Sequence, residues 1–250
     1  MRRLFHLTEI VQPEDVIPFL KKGIGDWQPG KSACELARSW VAADGIPPSV
    51  RAVLDTCPDY QRAELIEGFF EREIELAGRG AASQTDLMAF VKAAGGYAVV
   101  AVEGKAEEVF GPTVVEWDNG SPNKQVRLRS LCDTLGLDAA AVGSIRYQLL
   151  HRTASAIYEA QRYRCDRALM LVHSFSPTRT SFSDFVAFAQ LLQCPVDIGA
   201  ISPPRRCAGV ELRLGWVADT ASTGMRSWSE RADRAPKADE VLGRKRTQGG

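Results

Sequence analysis

The stretch Tyr97-Ala98-Val99-Val100-Ala101-Val102 is hydrophobic at successive positions, so as a strand it would be covered on both faces. The run 84–92 before it and its own continuation to residue 105 flank Ala93-Ala94-Gly95-Gly96, which predicts a β-hairpin. Ala168-Leu169-Met170-Leu171-Val172, within 167–175, predicts a second buried strand. Between them Ile145, Leu149 and Ile157 recur on one side of a helix opened by Ser144 and reaching about residue 163. Helices are also expected over 13–22, 32–43 and 181–192. Leu65, Ile66, Phe69 and Phe70 recur at helical spacing over 60–72, with a short strand at 73–76 and a turn at Gly78 and Gly80 after them. Residues 106–143 read as irregular, with a short helix over 128–135. Runs 196–201 and 210–217 predict strands at the margin of the sheet.

The order helix, short strand, hairpin, helix, strand implies an α/β protein with a mixed sheet flanked by helices. The chain divides into an N-terminal helical accessory segment over 1–58, a main domain over 59–218, and a tail over 219–250. In the tail apolar residues thin out and disorder is expected.

Composition narrows the picture. With 45% of 250 residues hydrophobic, the chain can bury a sizeable core. Its 31 basic and 31 acidic residues cancel, so any surface for nucleic acid has to be local. Met1-Arg2-Arg3 is basic, but His6, Glu9 and Glu14 interrupt the segment after it, and no run approaches a membrane span. A cytoplasmic protein is expected. The cysteines at 34, 57, 132, 165, 194 and 207 form no CxxC pair and have no short spacing to the histidines, which argues against structural zinc and for buried free thiols.

The hairpin also carries candidate chemistry. A turn centred between Ala94 and Gly95 pairs residues whose numbers sum to 189, so Asp86 falls opposite Glu103, on one face and roughly 5 Å apart at Cβ. Lys105, two residues on, shares that face. Spacing alone leaves two readings open: an ionic contact at the edge of the sheet, or a site where a divalent cation relieves the repulsion between two carboxylates. Oxygen ligands suit Mg²⁺ or Mn²⁺, and such an ion with a lysine serves phosphodiester hydrolysis. A loop one residue longer or shorter would move Asp86 and Glu103 to opposite faces.

Ser83-Gln84-Thr85-Asp86, with a strand ending Val102-Glu103-Gly104-Lys105 after it, resembles the PD-(D/E)XK nuclease-like superfamily. More narrowly, SQTD, VEGKAEEVFGP over 102–112 and RYQLLHRTASA over 146–156 resemble a bacterial family of this type, across about residues 25–215. The resemblance implies a restriction-endonuclease-like αβββαβ core, preceded by the accessory segment. It implies that Asp86 and Glu103 bind Mg²⁺ or Mn²⁺ and that Lys105 is the catalytic lysine. Glu67, or Glu64 beside it, would add a metal ligand from the first core helix, and Gln148 would join from the helix after the lysine strand. Thr85 stands where the name-giving proline would be. The implied activity is metal-dependent nuclease hydrolysis of nucleic acid, DNA foremost. The alternative is a catalytically inactive member that binds nucleic acid or protein, and a dimer is compatible with either.

Other signals compete. Gly25 to Ser32 matches the phosphate-cradling GxxxxGK[ST] loop, but Phe19-Leu20-Lys21-Lys22 makes a poor preceding strand, and Trp27 and Pro29 crowd the loop. Gln148, His151 and Arg152 share one helix face that would line a phosphate cleft or be simply a solvated or hydrogen-bonded face. His173 reads as a satisfied core histidine, and Glu107 and Glu108 as outer ligands or solvated carboxylates. Lys124, Arg127, Arg129, Arg146, Arg152, Arg162, Arg164 and Arg167 are candidates for a patch that tracks a phosphate backbone.

Overall fold

The two runs read as a hairpin form the middle of a seven-stranded mixed sheet. The computed structural model of the chain describes residues 4–5 and 8–221, and the expected disorder beyond residue 221 lies outside the described residues. In chain order the elements are β1 (Leu4–Phe5), a 3-10 helix (Pro13–Phe19), α1 (Ser32–Ala42), α2 (Pro48–Leu54), β2 (Glu64–Ile74), β3 (Ser83–Ala93) and β4 (Gly96–Lys105). Next come α3 (Val114–Trp117), α4 (Pro122–Leu135), α5 (Tyr147–Arg162), β5 (Arg167–Ser174), α6 (Phe182–Leu191), β6 (Arg205–Cys207) and β7 (Val210–Ala218). The strand order is β1-β2-β3-β4-β5-β7-β6. The β2-β3-β4 meander is antiparallel, β4 and β5 run parallel across the α5 crossover, and β7 is parallel to β5.

The apolar run of β4 is covered on both faces. Val99 and Ala101 join a cluster with Leu131 of α4, Leu149 and Ile157 of α5 and Phe185 of α6. Ala98, Val100 and Val102 join a cluster with Leu36 and Trp40 of α1, and Val50 and Leu54 of α2. The N-terminal segment is therefore one of two layers over a single sheet, and its apolar residues share a core with the strands. The turn is two residues long, and every pair of the ladder from Ala93↔Gly96 to Leu87↔Val102 sums to 189. It is tied down from outside, by Ala94 N–H to Gln61 O at 3.0 Å and Gly95 N–H to Asp59 O at 2.9 Å.

Residues 60–72 depart from expectation. Glu64–Ile74 is a strand, not a helix. A register shift between Leu65 and Glu67 puts neighbouring residues out of simple alternation, so Leu65, Ile66, Phe69 and Phe70 imitate a helical face. Segment 196–201 contributes isolated bridges at Ile198 and Ile201 rather than a strand, and β7 lies inside β6. The helix expected from Ser144 begins at Tyr147, and α4 is longer than the pattern suggested, opening at Pro122 behind the Ser121 N-cap. All six cysteines are free and buried. Among the described residues no helix is long and apolar enough to cross a membrane.

Candidate active site

Just past the last pair of the β3–β4 ladder, both strands run out of apolar residues. There Asp86 and Glu103 fall in the same register, with Lys105 beyond. Glu103 is 2% exposed and Lys105 4%, so the neighbourhood decides how their charges are met. Lys105 Nζ donates to Glu103 Oε1 at 2.8 Å, and Gln148 Nε2 donates to the same oxygen at 2.5 Å. Arg152 Nε donates to Glu103 Oε2 at 2.6 Å. Lys105 also reaches Gln148 Oε1 at 3.4 Å and stands 4.8 Å from the centre of the Phe110 ring. Gln148 and Arg152 are one turn apart on α5, and together they clasp Glu103 from one face of the sheet. Burial pushes the Glu103 carboxyl up, but the Arg152 and Lys105 charges outweigh it and hold it at about 2.

Asp86 is less well matched. Its Oδ2 accepts from Gly104 N–H at 2.8 Å, while its Oδ1 lies 3.9 Å from Arg152 Nη2. Burial, and then the Glu103 charge, push it up to about 7, against the pull of Arg152 and Lys105. A Cβ at Gly104 would touch both Asp86 Oδ2 and Ser32 at 3.4 Å, so the backbone here runs close against the carboxylate and α1.

Glu71 is the residue that sequence reasoning missed. Phe70↔Leu87 and Arg72↔Thr85 flank it, so Glu71 stands across from Asp86 on β2. Its φ of +54° is unusual for a side-chain-bearing residue inside a strand. Burial and the Asp86 charge push it up to about 8. Reading 64–74 as a strand would have exposed this pairing, since the flanking pairs sum to 157. Correspondingly, Glu67 and Glu64 are not on a core helix. Glu67 lies opposite Phe90 and Glu64 opposite Lys92, toward the turn end of the sheet, with Glu67 about 13 Å along the strand from Glu71. Among the described residues no group of three or more His, Cys, Asp or Glu side chains is gathered to hold a metal ion.

Asp86 and Glu71 open onto a cavity of about 410 Å³ shared with Gly25, Asp26, Lys31 and Ser32. The GxxxxGK[ST] match thus borders the site, yet it does not form a phosphate loop. A 3-10 helix, Pro13–Phe19, precedes it where a strand is required. Its amides are taken by the chain's own carboxylates: Gly30 N–H donates to Glu35 at 2.9 Å, and Ser32 N–H to Glu108 at 3.2 Å. Burial raises the Glu108 carboxyl, but backbone N–H groups, those of Ser32 and Ala106 among them, bring it below its ordinary value. Glu107 bonds Ser176 and Thr180.

The remaining candidates divide between structure and site. His173 is fully buried between Trp40 Nε1, 3.3 Å from its Nδ1, and Asp219 Oδ2, 3.0 Å from its Nε2. Burial holds it below its ordinary range, so the neutral ring accepts from Trp40 and donates to Asp219. His151 Nδ1 lies 2.8 Å from Ser83 Oγ, which in turn accepts from Arg152 Nη1 at 3.2 Å. Burial and the Arg152 charge push His151 down to about 3. The basic residues scatter: Arg146 pairs with Asp184, Arg167 with Asp59 and Glu211, and Arg162 with Glu159.

No curated protein and no solved structure matches the chain. One family pattern, described as a domain of unknown function (DUF6946), matches residues 9–221 and so takes in β2 to β7, both covering layers and every residue of the cluster around Glu103. The chain therefore belongs to the DUF6946 family.

Proposed function

We propose that this chain is a divalent-cation-dependent phosphodiesterase of nuclease type, acting on nucleic acid, DNA foremost, from a restriction-endonuclease-like core. In support of the fold, α2 and then β2-β3-β4, α5 and β5 give the order αβββαβ, with an antiparallel meander and one parallel addition. The observation that carries the activity is the charge arrangement at the open end of the hairpin. Glu103 is fully matched by Lys105, Gln148 and Arg152, whereas Asp86 and Glu71 face each other with their proton affinities raised. Two such carboxylates fit Mg²⁺ or Mn²⁺, which bind through one or two carboxylates and keep most of their waters. Asp86 and Glu71 would hold the ion, with Glu103 beside them, and when bound it supplies Lewis-acid polarisation of the phosphoryl oxygen. Lys105, fixed between Glu103 and the Phe110 ring, places an ammonium where negative charge builds in the transition state. Gln148 holds Lys105 and Glu103 in register, and Arg152 fixes the Glu103 carboxylate.

The test is hydrolysis of supercoiled plasmid and of single-stranded DNA by the purified chain with Mg²⁺ or Mn²⁺. Cleavage that disappears with chelator and in both Glu103→Gln and Lys105→Met is expected. Cleavage surviving both substitutions would refute the assignment.

A second reading rests on the closed ion cluster. Both Glu103 oxygens are already bonded within the chain, which suits a member of the same fold that binds nucleic acid or protein without cutting it. Mn²⁺ titration separates the two: saturable binding lost in Asp86→Asn favours the enzyme, and its absence in the wild type favours the binding module.

A further inference from the structure

On the side of β3 where α4 and α5 pack lies a cavity of about 500 Å³, between the 77–82 loop and the first turn of α4. Arg79, Lys124 and Arg127 bring cationic side chains to its wall, and none of the residues lining it is Asp or Glu. Arg127 is 8% exposed, and among the described residues no carboxylate pairs with it. Its Nε and Nη1 donate to the carbonyls of Ala77 at 3.1 Å and Ala81 at 2.9 Å, which orient the guanidinium without cancelling its charge. Gly80, at φ +134°, lets the loop close over that group, since a Cβ there would come within 3.3 Å of Arg127 Nη2. A buried cation normally has a counter-charge, and none of the described residues supplies one here.

A second observation concerns the same space. Tyr147, 8% exposed, lines the cavity, and its buried hydroxyl makes no well-formed hydrogen bond, although the Arg127 guanidinium lies close enough to act on it. Leaving such a group unmet is costly, so a ligand acceptor is the expected complement. The ring itself is held rigidly, stacked on Trp117 at 3.8 Å between centroids. The positive end of α4, a 14-residue helix, contributes Ser121, Asn123 and Lys124 to the wall.

We propose that this cavity is a phosphate-binding subsite in which Arg127, Lys124 and the Tyr147 hydroxyl hold the anion. The choice of phosphate over other oxyanions rests on the phosphodiesterase reading, while the demand for an anion does not. Ser83 and His151 form the wall shared with the cluster around Glu103: Ser83 Oγ bonds Arg152, and Arg152 bonds Glu103. A phosphate held here therefore sits beside the proposed scissile position rather than at it.

The experiment is calorimetric titration of the full chain with inorganic phosphate in chelator, where no cleavage takes place. The wild type is expected to bind saturably. Tyr147→Phe removes a hydroxyl that makes no well-formed hydrogen bond, so its ligand-free melting temperature should stay close to that of the wild type while phosphate affinity falls about tenfold, as for a lost hydrogen bond to a charged group. Lys124→Met should weaken binding likewise, and Asp86→Asn should leave it intact. No saturable binding by the wild type, or unchanged affinity in a folded Tyr147→Phe, overturns the proposal and leaves Arg127 as a latch for the 77–82 loop alone. Loss of binding in Asp86→Asn would overturn it by placing the anion at the carboxylates. Matched oligonucleotides with and without a 5′-phosphate then identify the source: tighter binding of the phosphorylated one marks a terminal phosphate, and equal binding marks an internal phosphodiester.

Discussion

Asp86→Asn should stabilise the metal-free protein at alkaline pH. The carboxyl of Asp86 goes from its ordinary 3.8 to about 7 in the folded chain, and that of Glu71 from 4.5 to about 8. Three decades of proton affinity correspond to about 4 kcal/mol of burial and repulsion at a pH above both values. Asp86 is raised by burial and by the Glu103 charge, and its own charge in turn raises Glu71, so this single substitution relieves the cost at both positions. Solvent reaching the exposed fifth of Asp86 trims the figure, and we expect about 2–4 kcal/mol. The asparagine keeps an acceptor for Gly104 N–H, and the 3.9 Å approach to Arg152 is too long for a hydrogen bond to be lost. A raised folded-state pKa means that the folded chain binds more protons than the unfolded chain between about pH 4 and pH 8. Wild-type stability contributed by this pair therefore falls as pH rises through that window, and the advantage of Asp86→Asn grows from near zero at about pH 4 to its full value above about pH 8. Urea denaturation of both proteins in chelator at a series of pH values across that window measures it. A variant less stable than wild type at the alkaline end, or an advantage that does not change with pH, would refute the reasoning. Adding Mg²⁺ should narrow the gap by stabilising the wild type alone.

Arg152→Met should cost about 3–5 kcal/mol by urea denaturation, because it leaves buried Glu103 with Lys105 as its one remaining cation among the described residues. Gly95→Ala should lower the melting temperature, losing about 1–3 kcal/mol, because its Cβ would come 2.9 Å from Asp59 O and 3.0 Å from Asp59 Cβ. Trp40→Phe should cost about 1–3 kcal/mol, removing the indole donor from fully buried His173. The Glu103 carboxylate, held at about 2, contributes stability that is complete above about pH 4.5 and lost as pH falls toward 2, so Glu103→Gln should flatten the acid limb of the stability profile.

The hairpin was legible because its turn is two residues long and its apolar runs are bounded by Gly and charge. That length sets every pair to 189, and with it Asp86 opposite Glu103. Gln148 and Arg152 were legible as neighbours on one helix face, since helical spacing is local. What they would grip was not. Arg152 reads in sequence as one of several basic residues, and only the packing of α5 on β4 makes it the partner of a carboxylate 49 positions away. The helix expected over 60–72 failed because a register shift disguised the strand's alternation, and that one misreading hid Glu71 and misplaced Glu64 and Glu67.

By itself, then, the sequence determined the α/β alternation, the central hairpin with its register, and the presence of two carboxylates and a lysine at one end of it. Those come from periodicity, turn chemistry and hydrophobic runs, all of which act over a few residues. Tertiary structure decided which charges are neutralised. It closed Glu103 inside Lys105, Gln148 and Arg152, set Glu71 against Asp86 with the proton affinity of both raised, and left Arg127 and the Tyr147 hydroxyl buried at the wall of a separate cavity. Coulomb energies depend on distance and burial between residues far apart in the chain, and no local pattern carries that information.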